Sequence, residues 1–129
     1  MENIVGVEAG RPSYGILIPG FPDAVAPEDL MQYQGLDVAA AQALMSDAGF
    51  AGGDGFPDLT LALRSEDQLV QDIAAAVGQQ LKANIGVNVT INNMTRKDYM
   101  AQLNVHNLQF AMVSYGFDYV EASNFLGVF

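Results

Sequence analysis

A chain of 129 residues, 50% of them apolar, can fold as one domain with a real core and is too hydrophobic for a disordered segment. Fifteen acids against five bases give a formal charge of -10, which opposes unguided contact with nucleic acid or an anionic membrane. With no cysteine, neither a disulfide framework nor a thiolate site is available, and an oxidising compartment is compatible though not demanded.

Met1 to Gly10 has no basic stretch followed by a long apolar run, so it does not read as a secretory or lipid-modified leader. Either the protein is cytoplasmic or its leader lies outside this sequence. Residues 1–27 are crowded with breakers: Gly6, Gly10, Pro12, Gly15, Pro19, Gly20, Pro22 and Pro27. A short strand at Ile16 to Ile18 is the most order expected there. The rest is expected to be irregular, either a lead-in crossing over from other structure or a frayed tail.

From residue 28 onward an α/β pattern is expected. Asp37 is placed to cap a helix through Ala48, with Val38, Ala41, Leu44 and Met45 as its apolar stripe. Gly49 supplies a left-handed residue after the last turn, and Phe50 can fold back onto the stripe. The glycines at 52, 53 and 55 are followed by no Lys-Ser or Lys-Thr pair, so they make a tight connection, not a phosphate loop.

Leu59 to Leu63 alternates as a short strand. Ser65 and Gln68 have the spacing of a capping box, opening a helix whose stripe is Leu69, Ile73, Val77 and Leu81, widened by Val70 and Ala76. Gly78 on its packed side would permit close approach to a neighbour, and Asn84 or Gly86 ends it. Val87, Val89 and Ile91 alternate with polar residues as a second strand. Thr95 and Asp98 repeat the capping pattern before a short helix packed through Tyr99, Met100 and Leu103. The run from Leu108 to Val113 is apolar except for Gln109, as in a strand buried on both faces.

Strand, helix, strand, helix, strand from Leu59 to Ser114 predicts a small α/β lobe of two or three layers. Its sheet is mostly parallel, joined by right-handed crossovers. The apolar third strand is expected in a central or well-covered place and the polar-faced second strand near an edge.

Candidate chemistry is sparse. His106 has no Cys or second His beside it, so an ordinary polar turn residue is the expectation. Asp54, Asp58, Glu66 and Asp67 lack the spacing of a calcium loop. No Gly-x-Ser-x-Gly elbow exists, and Asp118 with Glu121 is the one carboxylate pair to consider in the C-terminal loop. An enzyme is not expected, nor a cofactor. Tyr115, Phe117, Tyr119, Phe125 and Phe129 crowd the residues around Asp118. Residue chemistry allows two readings: core packing, or a recognition surface with rings as walls and Asp118 as its selective charge.

Several stretches, taken in order, resemble the peptide-binding family of bacterial ABC-importer solute-binding proteins, which includes oligopeptide, dipeptide and nickel binders. They are Ile18-Pro19-Gly20-Phe21-Pro22; Leu36-Asp37 with Ala41, Leu44 and Ala48-Gly49-Phe50; Gly55-Phe56-Pro57-Asp58-Leu59-Thr60-Leu61; and Gln80-Leu81-Lys82 before Ile85-Gly86-Val87-Asn88-Val89. Members often carry Gly-Trp-Gly-Ala-Asp-Tyr-Pro-Asp-Pro after the last strand of this block. Ser114, Tyr115, Gly116, Phe117, Asp118 and Tyr119 fill its first six places here, and Val120-Glu121-Ala122 replaces the final three.

The resemblance implies a periplasmic-binding-protein-like lobe with Asp118 pairing a peptide amino terminus and Tyr115 lining the cleft. Phe117 and Tyr119 join them as expected ligand-binding residues. It implies a periplasmic or extracellular receptor that captures peptides or similar small solutes and delivers them to an ABC permease. The chain would be a fragment of one lobe, its other lobe absent, with weak or no affinity alone and a tendency to self-associate. Nucleic acid, metal and direct membrane insertion are not implied. Phe117 is bulkier than the usual alanine; if it fills the pocket, a non-transport interaction module on the same scaffold is the alternative.

Overall fold

The computed structural model describes residues 13–114, 116 and 118–127, the side chain of Phe125 excepted. These fall into two compact units, one made of 37–113 and the other of 13–36 with 114–127.

The first unit is built on β1 (Leu59–Leu63), which lies between β2 (Val89–Asn93) and β3 (Phe110–Ala111) and runs parallel to both. Leu61 stands opposite Ile91 on one side and Phe110 on the other. Leu61, Ala62 and Leu63 are buried in succession, which requires cover on both faces of the strand. The α/β expectation therefore holds, and β2 is at an edge as its polar face suggested. The third strand differs: it too is an edge of the described sheet, with regular pairing at only two residues. Met112 prolongs it by donating its N–H to the Ala62 carbonyl at 2.9 Å. An apolar run reports that side chains meet apolar surface; it carries no information about which backbone lies alongside.

The long helix α3 (Gln68–Ile85) covers one face of this sheet. Leu61, Leu63 and Ala74 form the solvent-free centre, with Val70, Val89, Phe110 and Met112 packed around them. Gly78 lies where an added Cβ would sit 3.4 Å from the Val89 Cβ, so its lack of a side chain lets helix and strand approach. The helix begins two residues later than the Ser65–Gln68 spacing predicts. Asp67 is the cap: its Oδ1 accepts from the Leu69 N–H at 2.9 Å, while Ser65 Oγ accepts from the Asp67 N–H at 3.0 Å. Gln68 instead donates to Asp72 on the helix surface. Serine and aspartate both cap well, and the serine here serves the turn that delivers the aspartate.

Gly86 ends α3 in the left-handed region, φ 77°, donating its N–H to the Lys82 carbonyl. The Gly52 carbonyl lies against the position that a side chain at 86 would occupy. Gly52 belongs to a 3-10 turn (Ala51–Gly53) that follows α2 (Val38–Asp47). Asp37 caps α2 as expected, its Oδ1 accepting from the Ala40 N–H at 2.9 Å. This helix packs on α3, and Gln42 donates to the Asn84 carbonyl at 2.8 Å. Leu44, assigned to the packed stripe, is 68% exposed, and the Phe50 ring meets Phe56 edge-on at 5.2 Å. α2 rests on another helix, not on the sheet, and a narrow contact leaves part of an apolar stripe outside.

The next helix, α4 (Arg96–Asn104), has the expected start. Thr95 Oγ accepts from the Asp98 N–H at 3.2 Å and donates to the Asp98 carboxylate at 2.7 Å.

The second unit holds α1 (Pro27–Gln34) and α5 (Ala122–Leu126). Residues 13–26 are irregular, as expected, and Ile16 to Ile18 form a bend, not a strand. α1 was not anticipated. Its signal is local: Pro27 at the first position and Glu28 and Asp29 in the first turn, where a fixed φ and negative charge suit a helix start. Gln34 accepts from the Gly15 N–H at 2.6 Å, tying the irregular segment to the helix end. Phe21 and Asn124, 8% and 7% exposed, are the buried residues of this unit among those described.

Candidate functional site

Ligands meet open α/β sheets outside the carboxyl ends of their strands, and two places follow strand ends in this chain. The first is the chain leaving β3. Tyr99 of α4 is wholly buried, and its hydroxyl donates to the Met112 carbonyl at 3.0 Å, fixing the strand end. Arg64 lies over the same ring, 5.6 Å from its centroid. A buried phenol needs such a partner, and the acceptor it finds is the last core carbonyl before the candidate loop.

Of the four ligand-binding residues expected from sequence, Asp118 and Tyr119 are described and both are exposed, in a bend preceding α5. Tyr115 and Phe117 lie outside the described residues. The Asp118 backbone N–H donates to Asn124 Oδ1 at 3.2 Å, so a buried asparagine amide holds the loop at the aspartate itself. Two turn bonds, Glu121 N–H to the Tyr119 carbonyl and Asn124 N–H to the Glu121 carbonyl, complete the bend. Sequence reasoning passed over Asn124, since an asparagine six residues after an aspartate has no periodic signal. Glu121 is exposed, as is His106, which sits at φ 53° just after α4 with its N–H on the Leu103 carbonyl.

The second place is a cavity of about 470 Å³ lined by Arg64, Ser65, Glu66, Asn93, Met94, Thr95 and Arg96. It lies where β1 and β2 end. Asn93 locks the rim: its Oδ1 accepts from the Ser65 N–H at 3.1 Å and its Nδ2 donates to the Ser65 carbonyl at 2.8 Å. Sequence reasoning missed this site as well. The available signal was two of only five bases, Arg64 directly after β1 and Arg96 three residues past the end of β2. Among the described residues no group of three or more His, Cys, Asp or Glu side chains could hold a metal, and no helix is long and apolar enough to cross a membrane.

The described sheet is parallel in a β-α-β-α-β order, a mixed α/β fold consistent with a periplasmic-binding-protein-like lobe. Residues 2–129 match the family model of bacterial extracellular solute-binding proteins, family 5, middle region, and the chain belongs to that family. Among its relatives is the periplasmic murein peptide-binding protein MppA of Escherichia coli K12. The two are 34% identical over 107 residues, which is 83% of this chain and 19% of that protein. The structure of OppA from Burkholderia pseudomallei superposes with a TM-score of 0.74 at 25% identity, covering 94% of this chain and 24% of that one. An oligopeptide-binding protein of Borrelia burgdorferi, OppAIV, gives 0.67 at 23% identity over 92% of this chain and 21% of its own, a likeness of fold. The chain spans about a fifth of the length of these relatives.

Proposed function

We propose that the chain is part of an extracytoplasmic receptor that captures peptides or similar small solutes and delivers them to an ABC permease. Asp118 holds the amino terminus of the ligand, and Tyr115, Phe117 and Tyr119 wall the space around it. The observation that carries this reading is the family match across residues 2–129, supported by a relative whose name declares murein peptide binding. The exposure of Asp118 and the grip of Asn124 on its backbone suit an anchoring role, because a charge held in place loses less freedom on binding.

The test is a peptide-library binding screen on the full-length protein that contains this chain, with Asp118→Asn alongside. Preference for free amino termini is expected, with a loss of about 2–5 kcal/mol in the variant, the usual effect of removing one partner of a desolvated charge pair. If neither protein binds peptides while both stay folded, the substrate class is wrong.

A further inference from the structure

We propose that the free edge of β2 is a self-pairing surface. β2 of one copy pairs antiparallel with β2 of a second copy across a two-fold axis at Ile91, joining two sheets into one. The proposal goes beyond solute capture and does not depend on which solute the receptor takes.

The parity of the ladder decides which backbone groups are free. The Leu59 N–H donates to the Asn88 carbonyl at 3.0 Å and the Met94 N–H to the Leu63 carbonyl at 2.8 Å. The even-numbered residues of β2 therefore turn their backbone groups toward β1. Val89, Ile91 and Asn93 turn theirs outward, and among the described residues these N–H and C=O groups have no partner. An outward row of this kind is a template for another strand. This one is its own complement. With Ile91 on a two-fold axis, Val89 stands opposite the second copy's Asn93, and Ile91 opposite its own counterpart. Every outward N–H then meets an outward C=O, because directly opposed residues of such a pair exchange both bonds.

Nothing along the strand blocks this pairing. Val89–Asn93 holds no proline and no charged residue, its register with β1 runs unbroken, and every residue after Val89 is exposed. Natural edges are protected by short length, proline, lysine or a bulge. β3, the other edge of the described sheet, has only two paired residues; β2 has none of these protections.

Charge favours the same place. A chain of formal charge -10 repels its own copies over most of its surface. Between β2 and α3, however, a groove of about 530 Å³ is lined with one base, Lys82, and no acid. Two acidic copies meet at least cost where neither presents a carboxylate. Ile91, 38% exposed, flanks this groove together with Ala75, Gly78 and Ala83. These small residues leave room for the second copy's Ile91, which the axis sets directly opposite on the same face.

The test follows the 129-residue chain by sedimentation velocity over a concentration series, with amide exchange measured by NMR at its dilute and concentrated ends. A reversible monomer–dimer equilibrium is expected. The amides of Val89, Ile91 and Asn93 should gain protection as dimer forms, while those of Thr90 and Asn92, already bonded to β1, should not change. Ile91→Pro strips the outward N–H and leaves the bonds to β1 intact, and Ile91→Lys sets like charges opposite each other across the axis. Each should raise the dimer dissociation constant about tenfold or more. The lysine variant keeps every backbone donor, so it carries the test should the proline variant unfold. Leu44→Lys and Leu36→Lys, at exposed apolar residues elsewhere, should leave the constant unchanged.

A monomer at every concentration up to about 1 mM, a dimer that survives Ile91→Lys, or one abolished by Leu36→Lys overturns the proposal. So does growth beyond the dimer, since a two-fold contact closes on itself. So does a monomer whose Val89, Ile91 and Asn93 amides are protected only by added trialanine, which gives the edge to a peptide strand instead.

Discussion

The two units of this chain hold themselves together differently. Residues 37–113 close around side chains with no solvent exposure, Leu61, Leu63 and Ala74, and each helix of this unit starts at a side-chain cap. In the other unit α1 buries none of its residues and has no side-chain cap, and Tyr33 and Leu36 stand 79% and 84% exposed. Among the described residues its longer-range side-chain bonds are single ones: Gln34 on Gly15, Asn124 on Asp118. Stability is thus concentrated in the sheet unit, whereas the residues nominated to hold the ligand amino terminus belong to the other. Local opening is cheapest where few apolar contacts must be broken.

That contrast can be attacked at graded strength. Leu61→Ala removes the middle of β1 and should cost about 2–5 kcal/mol in chemical denaturation, with loss of the whole sheet unit. Gly86→Ala combines a left-handed backbone with a side chain pressed on the Gly52 carbonyl, and about 2 kcal/mol or more should be lost from the same transition. Tyr99→Phe keeps the ring and strips the bond to the Met112 carbonyl, for about 1–3 kcal/mol. Asp67→Ala should cost about 1 kcal/mol as a true cap. In the loose unit, Leu36→Ser is expected to stay within about 0.5 kcal/mol of the parent by the same measurement. A large loss there would erase the distinction between the units.

Much of the sheet unit could be read from residue patterns. β1, the caps at Asp37 and Thr95, the left-handed glycines and the close approach at Gly78 all follow from local chemistry that the fold leaves intact. What escaped depends on partners distant in sequence. Ser65 and Asp67 are both good caps, and only the clasp of Asn93 twenty-eight residues on decides how Ser65 is used. The order of strands was misjudged for β3 because side-chain burial and backbone pairing are separate constraints. At the site, the motif around Asp118 was visible, yet its brace Asn124 and the cavity of Arg64 and Arg96 were not. Those groups are assembled by folding and leave no periodic trace.

The meeting of Gly52 and Gly86 has a consequence for how such proteins diverge. A side chain at 86 would meet the Gly52 carbonyl and one at 53 the Gly86 backbone, and both turns precede strands, so side-chain growth is shut out at these two positions on the amino side of β1 and β2. The opposite ends of those strands open onto a cavity lined mostly by polar residues. In a lineage built on this frame, side-chain change is expected at the cavity rim of the sheet and little of it at the glycine rim.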